Sequence, residues 1–414
     1  MIASGVTARA AARYNIRLLL TSTVEALRAD VVGLGIDTRQ LGVLSSHAAM
    51  EALAVENLDP QQVAGLHDAI NDGGGALLTD TSRTRAVVVA PVLTAAALNG
   101  RLQPWGPAAM ELGAAIAEAL VARGAPPAPI TARGHRLEFG RHTLVMGVVN
   151  ATPDSFSGDG VGDNTAAAVA LAERMVADGA DVIDVGGEST RPNSAPVPAD
   201  EELRRVLPVV TTLARTLPVP VSIDTHKAEV ARAALDAGVA IVNDVWGLRG
   251  DAAMAAVVAQ HADCAVVVMH NQRGIEYQNL LADVCRGLRE SIAIASDAGV
   301  AAERIIIDPG FGFAKTPAQN LEVLRRLYEL RTIGRPMLAG LSRKSTIGIL
   351  TGGAPPDQRV EGGLALATLA VQGGADVVRT HDVRETVRAL RVADAVVRGT
   401  PPEVLELPAT GPTG

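Results

Sequence analysis

Along the C-terminal two thirds of the chain, short aliphatic runs end repeatedly at a residue able to hydrogen-bond, carry charge or bind a metal. GVVNATPDSFS (147–157) opens the series. IDVGGESTRP (183–192), VSIDTHK (221–227), IVNDV (241–245), VVVMH (266–270), IIIDPGFGFAK (305–315), MLAGLSRKS (337–345) and VVRTHDV (377–383) follow. Apolar runs of this length, separated by helical patterns, predict strands buried on both faces and alternating with helices. They begin near Thr143, Val182, Val219, Ala240, Ala265, Ile305, Met337 and Val377, with helices such as Ala166–Ala177 and Leu321–Leu330 between them. Eight repeats over about 260 residues match the size of a (β/α)8 TIM barrel. Its strand C-termini converge on one face, so Asn150, Thr190, Asp224, Asn243, Met269, Asp308, Lys344 and Arg379 are expected to share a pocket. A doubly wound open sheet has the same alternation, but its nucleotide site carries a glycine-rich turn after the first strand, where this chain has Asn150-Ala151-Thr152-Pro153.

The pattern breaks at GAPPAPIT (124–131), whose prolines disfavour regular structure and mark a linker. Residues 1–130 then read as a small N-terminal α/β domain, with a strand over Arg85–Val92 and helices over Thr94–Leu102 and Ala108–Arg123. Its glycine run, Gly73–Gly75, lacks the Lys-Ser/Thr ending of a phosphate-binding P-loop and reads as a turn. Residues 131–400 are the barrel. Residues 401–414, rich in Pro and Thr, are expected to be a disordered tail.

Composition narrows the function classes. Hydrophobic residues make up 48% of the 414 and aromatics only 2%, so the core is built from small aliphatic side chains and a base-stacking nucleic-acid surface is not expected. A net charge of −8 argues against a partner held through a polyanionic backbone, while leaving room for a local basic pocket. Cys264 and Cys285 are the only cysteines and show no CxxC spacing, which points away from a disulfide scaffold or structural zinc and towards a reducing cytoplasm. The early apolar patch Leu18–Leu20 is too short for a signal peptide core. No apolar run reaches the ~20 residues of a membrane helix, so no membrane partner is expected.

Taken alone, each strand-end Asp reads as a helix N-cap, Asn150 as a turn residue and His381 as a structural histidine. Together, in this order and at barrel spacing, the motifs resemble dihydropteroate synthase, a pterin-binding TIM-barrel family. The resemblance implies condensation of 6-hydroxymethyl-7,8-dihydropterin pyrophosphate with p-aminobenzoate to give 7,8-dihydropteroate and pyrophosphate. It implies that Asp308 and Asn243 hold the pyrimidine edge of the pterin and that Asp224 takes the far side of the bicycle. Lys344 then reaches the carbonyl region, and Met269 packs on the ring. It places Arg379 and His381 near the leaving pyrophosphate and Asn150 on Mg²⁺, an ion that favours oxygen ligands. A bicyclic amide and amino-pyrimidine edge needs such acceptors and donors in a buried site, where a mismatched ligand would leave polar groups unpaired.

The second substrate carries a carboxylate on an aromatic amine. The resemblance seats it at Ser345, which opens a helix whose free N–H groups favour an anion, with Phe156, Thr190, Pro192, Phe313 and the Lys344 stem around it. Arg191 stands beside it as a loop anchor or phosphate-side group. Departures from the family pattern shift the first-loop acid to Asp159, place Asn193 after STRP and put Gly363 where a serine or threonine is usual. The loops Ala151–Asp163 and Arg191–Pro198 read as closing elements. No protein nucleophile is expected, in keeping with the absence of an activated Ser-His or Cys-His pattern. A homodimer is expected from the family. Two alternatives stay open: an inactive pterin-binding paralogue, suggested by the shifted acid, and a pterin-dependent corrinoid methyltransferase, which gives no reason for SRKS and RTHD.

Overall fold

The computed structural model describes residues 14–19, 31–37, 50–71, 75–91, 95–151, 165–188 and 196–399. They divide into two compact units: residues up to Pro127 with Gly274–Ile294 and Arg325–Arg335, and Ala128–Arg273 with Ala295–Leu324 and the chain from Pro336. The first unit holds an antiparallel sheet of β1 (Arg17–Leu19), β2 (Met50–Glu56), β3 (Ala76–Thr79) and β4 (Arg85–Pro91), in the order β1-β2-β4-β3. Its strands alternate. Leu53, Val55, Ala86 and Val88 join a core with residues from helices α1 (Pro60–Asn71), α2 (Ala95–Leu102) and α3 (Pro107–Gly124). Ala52, Ala54, Val87 and Val89 enter a second cluster with Val31, Leu34, Ile36 and Leu78. Period-two alternation with both sets apolar is what a sheet covered on two faces requires.

The sequence places a single boundary at residue 130. The first unit instead takes up two segments that lie, in sequence, between barrel strands. Arg289 donates to Asn15 Oδ1 at 2.5 Å, Thr332 to the Ile16 carbonyl at 3.0 Å and Arg331 to the Ala125 carbonyl at 2.8 Å, and Tyr328 packs against the main core. A linear cut cannot express contacts made so far apart in the chain.

The second unit opens with a hairpin, β5 (Ile130–Ala132) and β6 (His135–Leu137), turned by Arg133 and Gly134, both at positive φ. Two consecutive left-handed residues match the right-handed twist of a tight hairpin. The motif GAPPAPIT is therefore not all linker, because Ile130 and Thr131 are strand. Eight parallel strands follow: β7 (Leu144–Asn150), β8 (Val182–Gly186), β9 (Val221–Asp224), β10 (Ile241–Asp244), β11 (Ala265–Met269), β12 (Ile305–Asp308), β13 (Leu338–Gly340) and β14 (Val377–Thr380). They pair in sequence order from β7 to β12, and β14 joins β13 to β7. A bridge from Ile307 to Met337, with Ile307 N–H donating to the Pro336 carbonyl at 2.9 Å, links β12 to β13 and closes the ring. This is the expected (β/α)8 barrel.

Between and after the strands run α4 (Thr165–Ala177), α5 (Ala199–Thr216), α6 (Ala228–Asp236), α7 (Met254–Gln260), α8 (Leu280–Asp297), α9 (Pro317–Arg325), α10 (Ser345–Leu350), α11 (Val360–Gln372) and α12 (Val383–Val397). The helix expected over Leu321–Leu330 is not continuous. Arg326 leaves the helical region at φ −108° and ψ 18°, and a 3₁₀ helix, Leu327–Ile333, takes over. No described helix is long and apolar enough to cross a membrane.

Inward positions sort by height along the barrel axis. Leu144, Met146, Val182, Ile241, Val267, Ile306, Leu338 and Val377 form one apolar cluster with Ile130, Ala132, Leu137 and Phe139, so the hairpin plugs the N-terminal end. Two residues farther along several of these strands stand Asp184, Asn243, Met269, Asp308, Gly340 and Arg379. The lower inward positions are apolar apart from Ser222, two residues before Asp224, and the upper ones carry most of the polar groups.

The ring is also tied at its seam. Thr143, just before β7, donates its N–H and hydroxyl to the buried Asp394 carboxylate of α12 at 2.8 and 2.7 Å, and Arg398 donates to the same carboxylate at 2.8 Å. Replacing Asp394 by Ala would strand these donors. It is expected to cost about 2–4 kcal/mol, read as a lower urea midpoint at unchanged slope.

Candidate active site

Arg379, on β14, sits at the centre of the polar half. Its Nε donates to Asp184 Oδ2 at 2.6 Å and its Nη2 to Asp224 Oδ2 at 2.7 Å, while Asn243 Nδ2 donates to the same Asp184 oxygen at 3.0 Å. Of three sequence-predicted residues, Arg379 thus binds Asp224 directly and is joined to Asn243 through Asp184, which the motif reading passed over. Its signal was parity: Asp184 lies two residues before Gly186 and two after Val182, on the inward side of β8.

Burial sets the electrostatics. It raises Asp224 to about 7; Arg379 pulls the other way, and Asp184 and Glu202 push the value up further. Burial also works against the Arg379 cation, but Asp184 and Asp224 outweigh it and hold that group above its ordinary range. Among the described residues Asp184 Oδ1 and Asp224 Oδ1 are buried with no hydrogen-bond partner. Two unanswered acceptors in one polar layer suit a ligand bearing N–H donors.

Across the barrel Asp308 ends β12. Burial raises its pKa, against the opposing pull of the Gly310 N–H, Lys344 and Lys315. Its Oδ1 accepts the Gly310 N–H at 2.7 Å. Its Oδ2 faces Gly340, where an added Cβ would lie 3.9 Å away, and a Cβ on Gly186 would stand 3.8 Å from Asp224 Oδ2. Two inward strand-end positions without side chains thus leave room beside the two carboxylates. Met269, buried and in register with Asp308, supplies an apolar surface.

Lys344 precedes α10 and holds its Nζ 4.2 Å from the centroid of the half-buried Phe313 ring, a cation–π contact. Its stem lies against Gly312, where a Cβ would come within 3.0 Å of Lys344 Cδ and φ is +84°. Only glycine meets both demands. Ser345 opens α10, a helix of six residues, and is exposed. The loops after β13 and β14 are joined by Arg343, which donates to both Asp382 oxygens at 2.6 and 3.2 Å, and by Ser342 Oγ, 3.1 Å from His381 Nδ1 and accepting the His381 N–H at 3.2 Å. Asn150 ends β7, half-buried and in register with Gly186.

Sequence reasoning also passed over Lys315 and the pair Glu188 and Glu202, both bonded to Lys227 Nζ. Phe156, Thr190, Arg191 and Pro192, together with Asp159 and Asn193, lie outside the described residues, as do Gly73, Gly74 and the tail from residue 400. His270 is buried, and its pKa is lowered to about 2 by burial and by the nearby Lys315 and Arg249, so the imidazole is neutral.

Comparison with known proteins identifies the family. The family described as pterin binding enzyme matches residues 146–381. Dihydropteroate synthase of Bacillus subtilis (strain 168) is 45% identical over 261 residues, covering 63% of this chain and 91% of that protein. The solved Xanthomonas albilineans dihydropteroate synthase with 4-aminobenzoic acid superposes with a TM-score of 0.62 at 45% identity, over 66% of this chain and 100% of that one. The Burkholderia cenocepacia enzyme complexed with 7,8-dihydropteroate gives a TM-score of 0.60 at 44% identity, over 66% and 97%.

The raised Asp224 pKa has a stability consequence with a definite sign. Between the ordinary carboxylate value of 3.8 and about 7 the folded protein binds a proton that the unfolded chain has released, so this group lowers stability as pH rises through that window. Asp224→Asn should remove up to about 1.4 kcal/mol of this loss per pH unit. Unfolding free energies of both proteins, compared between the two limits, should diverge in the variant's favour as pH rises. Parallel curves would count against the assignment.

Proposed function

This chain belongs to the pterin-binding enzyme family, and we propose that it acts as a dihydropteroate synthase, joining 6-hydroxymethyl-7,8-dihydropterin pyrophosphate to p-aminobenzoate and releasing pyrophosphate. The observation that carries this reading is the pair of unanswered buried acceptors on Asp184 and Asp224, held around Arg379 and facing Asn243, beside the space left by Gly186 and Gly340. A pterin edge presents ring and exocyclic N–H donors together with a carbonyl and ring nitrogens. Asp308 Oδ2 and the Asn243 amide answer one edge, Asp224 the far side, and Lys344 the carbonyl, with Met269 against the ring. A buried site of this kind rejects ligands that leave its polar atoms unpaired.

The aminobenzoate lies between Phe313, the Lys344 stem and the start of α10 at Ser345, with Phe156, Thr190, Arg191 and Pro192 completing its surroundings. Its amine attacks the pterin methylene as neutral nitrogen, the C–O bond to pyrophosphate breaks, and the amine proton passes to solvent. His381, held through Ser342, and Arg343, held by Asp382, line the side where leaving-group charge grows, and Arg379 supplies the positive field beneath. Among the described residues no group of three or more His, Cys, Asp or Glu could cage an ion. The neutral oxygen of Asn150 suits a magnesium ion that keeps waters and substrate phosphate oxygens as its remaining ligands. Bound there, Mg²⁺ would neutralise charge on the departing pyrophosphate.

Exposed aliphatic side chains gather on the last three helices: Ile349 and Leu350 on α10, Leu369 on α11, and Val392, Val396 and Val397 on α12. A second copy of the chain covers them in the expected homodimer, at work in the cytoplasm. Apolar surface concentrated in this way marks an association face.

Pyrophosphate release should require both substrates and Mg²⁺. Pterin binding without release would favour an inactive paralogue, and methyl transfer to a corrinoid would favour the methyltransferase reading. Asp308→Asn swaps one acceptor oxygen for a donor and should raise the KM for the pterin substrate about 10- to 100-fold. The KM for p-aminobenzoate should change far less, as steady-state kinetics with each substrate varied in turn would reveal.

A further inference from the structure

The ladder between β11 and β12 ends where His270 N–H donates to the Asp308 carbonyl at 2.8 Å. Beyond that rung the two strand ends are bridged by a side chain. Lys315, only 8% exposed, places Nζ 3.2 Å from His270 Nδ1, 3.2 Å from the Gly310 carbonyl and 3.2 Å from the Phe313 carbonyl. An ammonium has three N–H donors and no acceptor, so it can answer all three of these acceptors. Because His270 is neutral, accepting at Nδ1 puts its ring proton on Nε2.

We propose that Lys315 is a positioning residue for pterin recognition: its ammonium straps the loop after β12 to the end of β11 and thereby sets the carboxylate of Asp308. The links are short. Gly310 presents its carbonyl to Lys315 and its N–H to Asp308 Oδ1, and Phe313 N–H donates to the Gly310 carbonyl at 3.1 Å. Gly310 itself has φ +71°, and an added Cβ would stand 2.0 Å from the His270 carbonyl oxygen. The loop is pressed against β11 at a point where no other residue fits, and the strap holds it there. With Oδ1 fixed, Oδ2 is the oxygen left facing the space beside Gly340.

The strap depends on its charge. Burial lowers Lys315 to about 7, Asp308 opposes that fall, and Lys344 adds to it. The groups facing it are His270 from β11, Asp308 from β12 and Lys344 from the loop after β13, with Arg249 reaching His270 from the loop after β10. A neutral amine has two donors and a lone pair, so above neutrality one of the three acceptors loses its partner.

The inference rests on the synthase reading, and the experiment separates the two. Wild-type protein, Lys315→Met, His270→Phe and the double variant are compared for pyrophosphate release across the neutral range, with thermal melts confirming that each is folded. At about pH 6.5 Lys315→Met should raise the KM for the pterin substrate ~10-fold with kcat within ~3-fold, the mark of lost binding rather than lost chemistry. The ratio of variant to wild-type KM should shrink towards about pH 8.5, where the wild-type amine is neutral too. Asp224 titrates alike in both proteins and cancels in that ratio, whereas Asp308 loses the lowering pull of Lys315 in the variant, a difference that also fades as the wild-type amine loses its charge. His270→Phe should move KM the same way, and the double variant should be no worse than either single one. An unchanged KM, a ratio constant with pH, or additive effects would overturn the strap. Should Lys315→Met not accumulate as folded protein, His270→Phe carries the same decision. If wild-type protein releases no pyrophosphate, the synthase reading fails, and calorimetric binding of 6-hydroxymethylpterin to the same proteins reads the strap instead.

Discussion

A guanidinium only 19% exposed inside a barrel must be neutralised where it stands, and the arrangement of the upper barrel follows from how Arg379 is neutralised. Two carboxylates, Asp184 and Asp224, meet it at 2.6 and 2.7 Å. Both acids answer the cation, which would not be tolerated in this layer without them. Asp184 then has an oxygen to share with Asn243, which fixes the amide's orientation. Each acid is left with one buried oxygen that no described group answers. Such an arrangement is a poor device for stability, since well-packed apolar residues hold a barrel interior at least as firmly. Its retention makes sense as preorganisation, with acceptors already aimed and desolvated before a ligand arrives.

The barrel makes that cluster affordable by confining it to one end. Below it the inward residues are aliphatic apart from Ser222, and the β5–β6 hairpin seals the opposite mouth with Ile130, Ala132, Leu137 and Phe139. Parallel closure brings every strand C-terminus to the same rim, so residues from six strands share one volume without any of them being close in sequence. Space is made by omission: Gly186 and Gly340 stand at inward positions where a side chain would take up the room beside Asp224 or Asp308. Charge is contributed by the strands, and shape by the glycines among them.

What could be read from the chain follows from this division. Strand ends are legible because an apolar run stopping at a polar residue is a local signal, and Asp224, Asn243, Asp308 and Arg379 announce themselves in that way, as does Met269 by standing last before His270. Asp184 does not, because it lies inside its run with Ile183 and Val185 on either side, where only counting by two from Val182 shows that it faces inward. Lys315 was hidden for the opposite reason. In a glycine-rich loop a lysine reads as solvated, and nothing local says that three acceptors surround it. The hairpin escaped notice because the prolines of GAPPAPIT dominate the reading, although the Arg133-Gly134 turn follows within two residues. Nor could a linear reading assign Gly274–Ile294 and Arg325–Arg335 to the first unit, because that grouping rests on pairs such as Arg289 with Asn15 and Thr332 with Ile16.

The balance of charge also bears on how the proposed reaction is divided across the site. Among the described residues, the carboxylates of Asp184, Asp224 and Asp308 stand with the cations of Arg379, Lys344 and Lys315, so the pterin half is close to neutral as built. A neutral heterocycle can enter it without upsetting that balance. A pyrophosphate cannot, because its charge would compete with Asp224 for Arg379 and push a carboxylate already raised by burial further towards protonation. The leaving group's charge must therefore be met mainly outside this layer, at the rim where His381 and Arg343 are tied together by Ser342 and Asp382 and where Asn150 offers its oxygen. Under the synthase reading, recognition and departure are separated by height in the barrel: the buried layer selects the ring, and the wetter rim takes the charge that develops as the bond breaks.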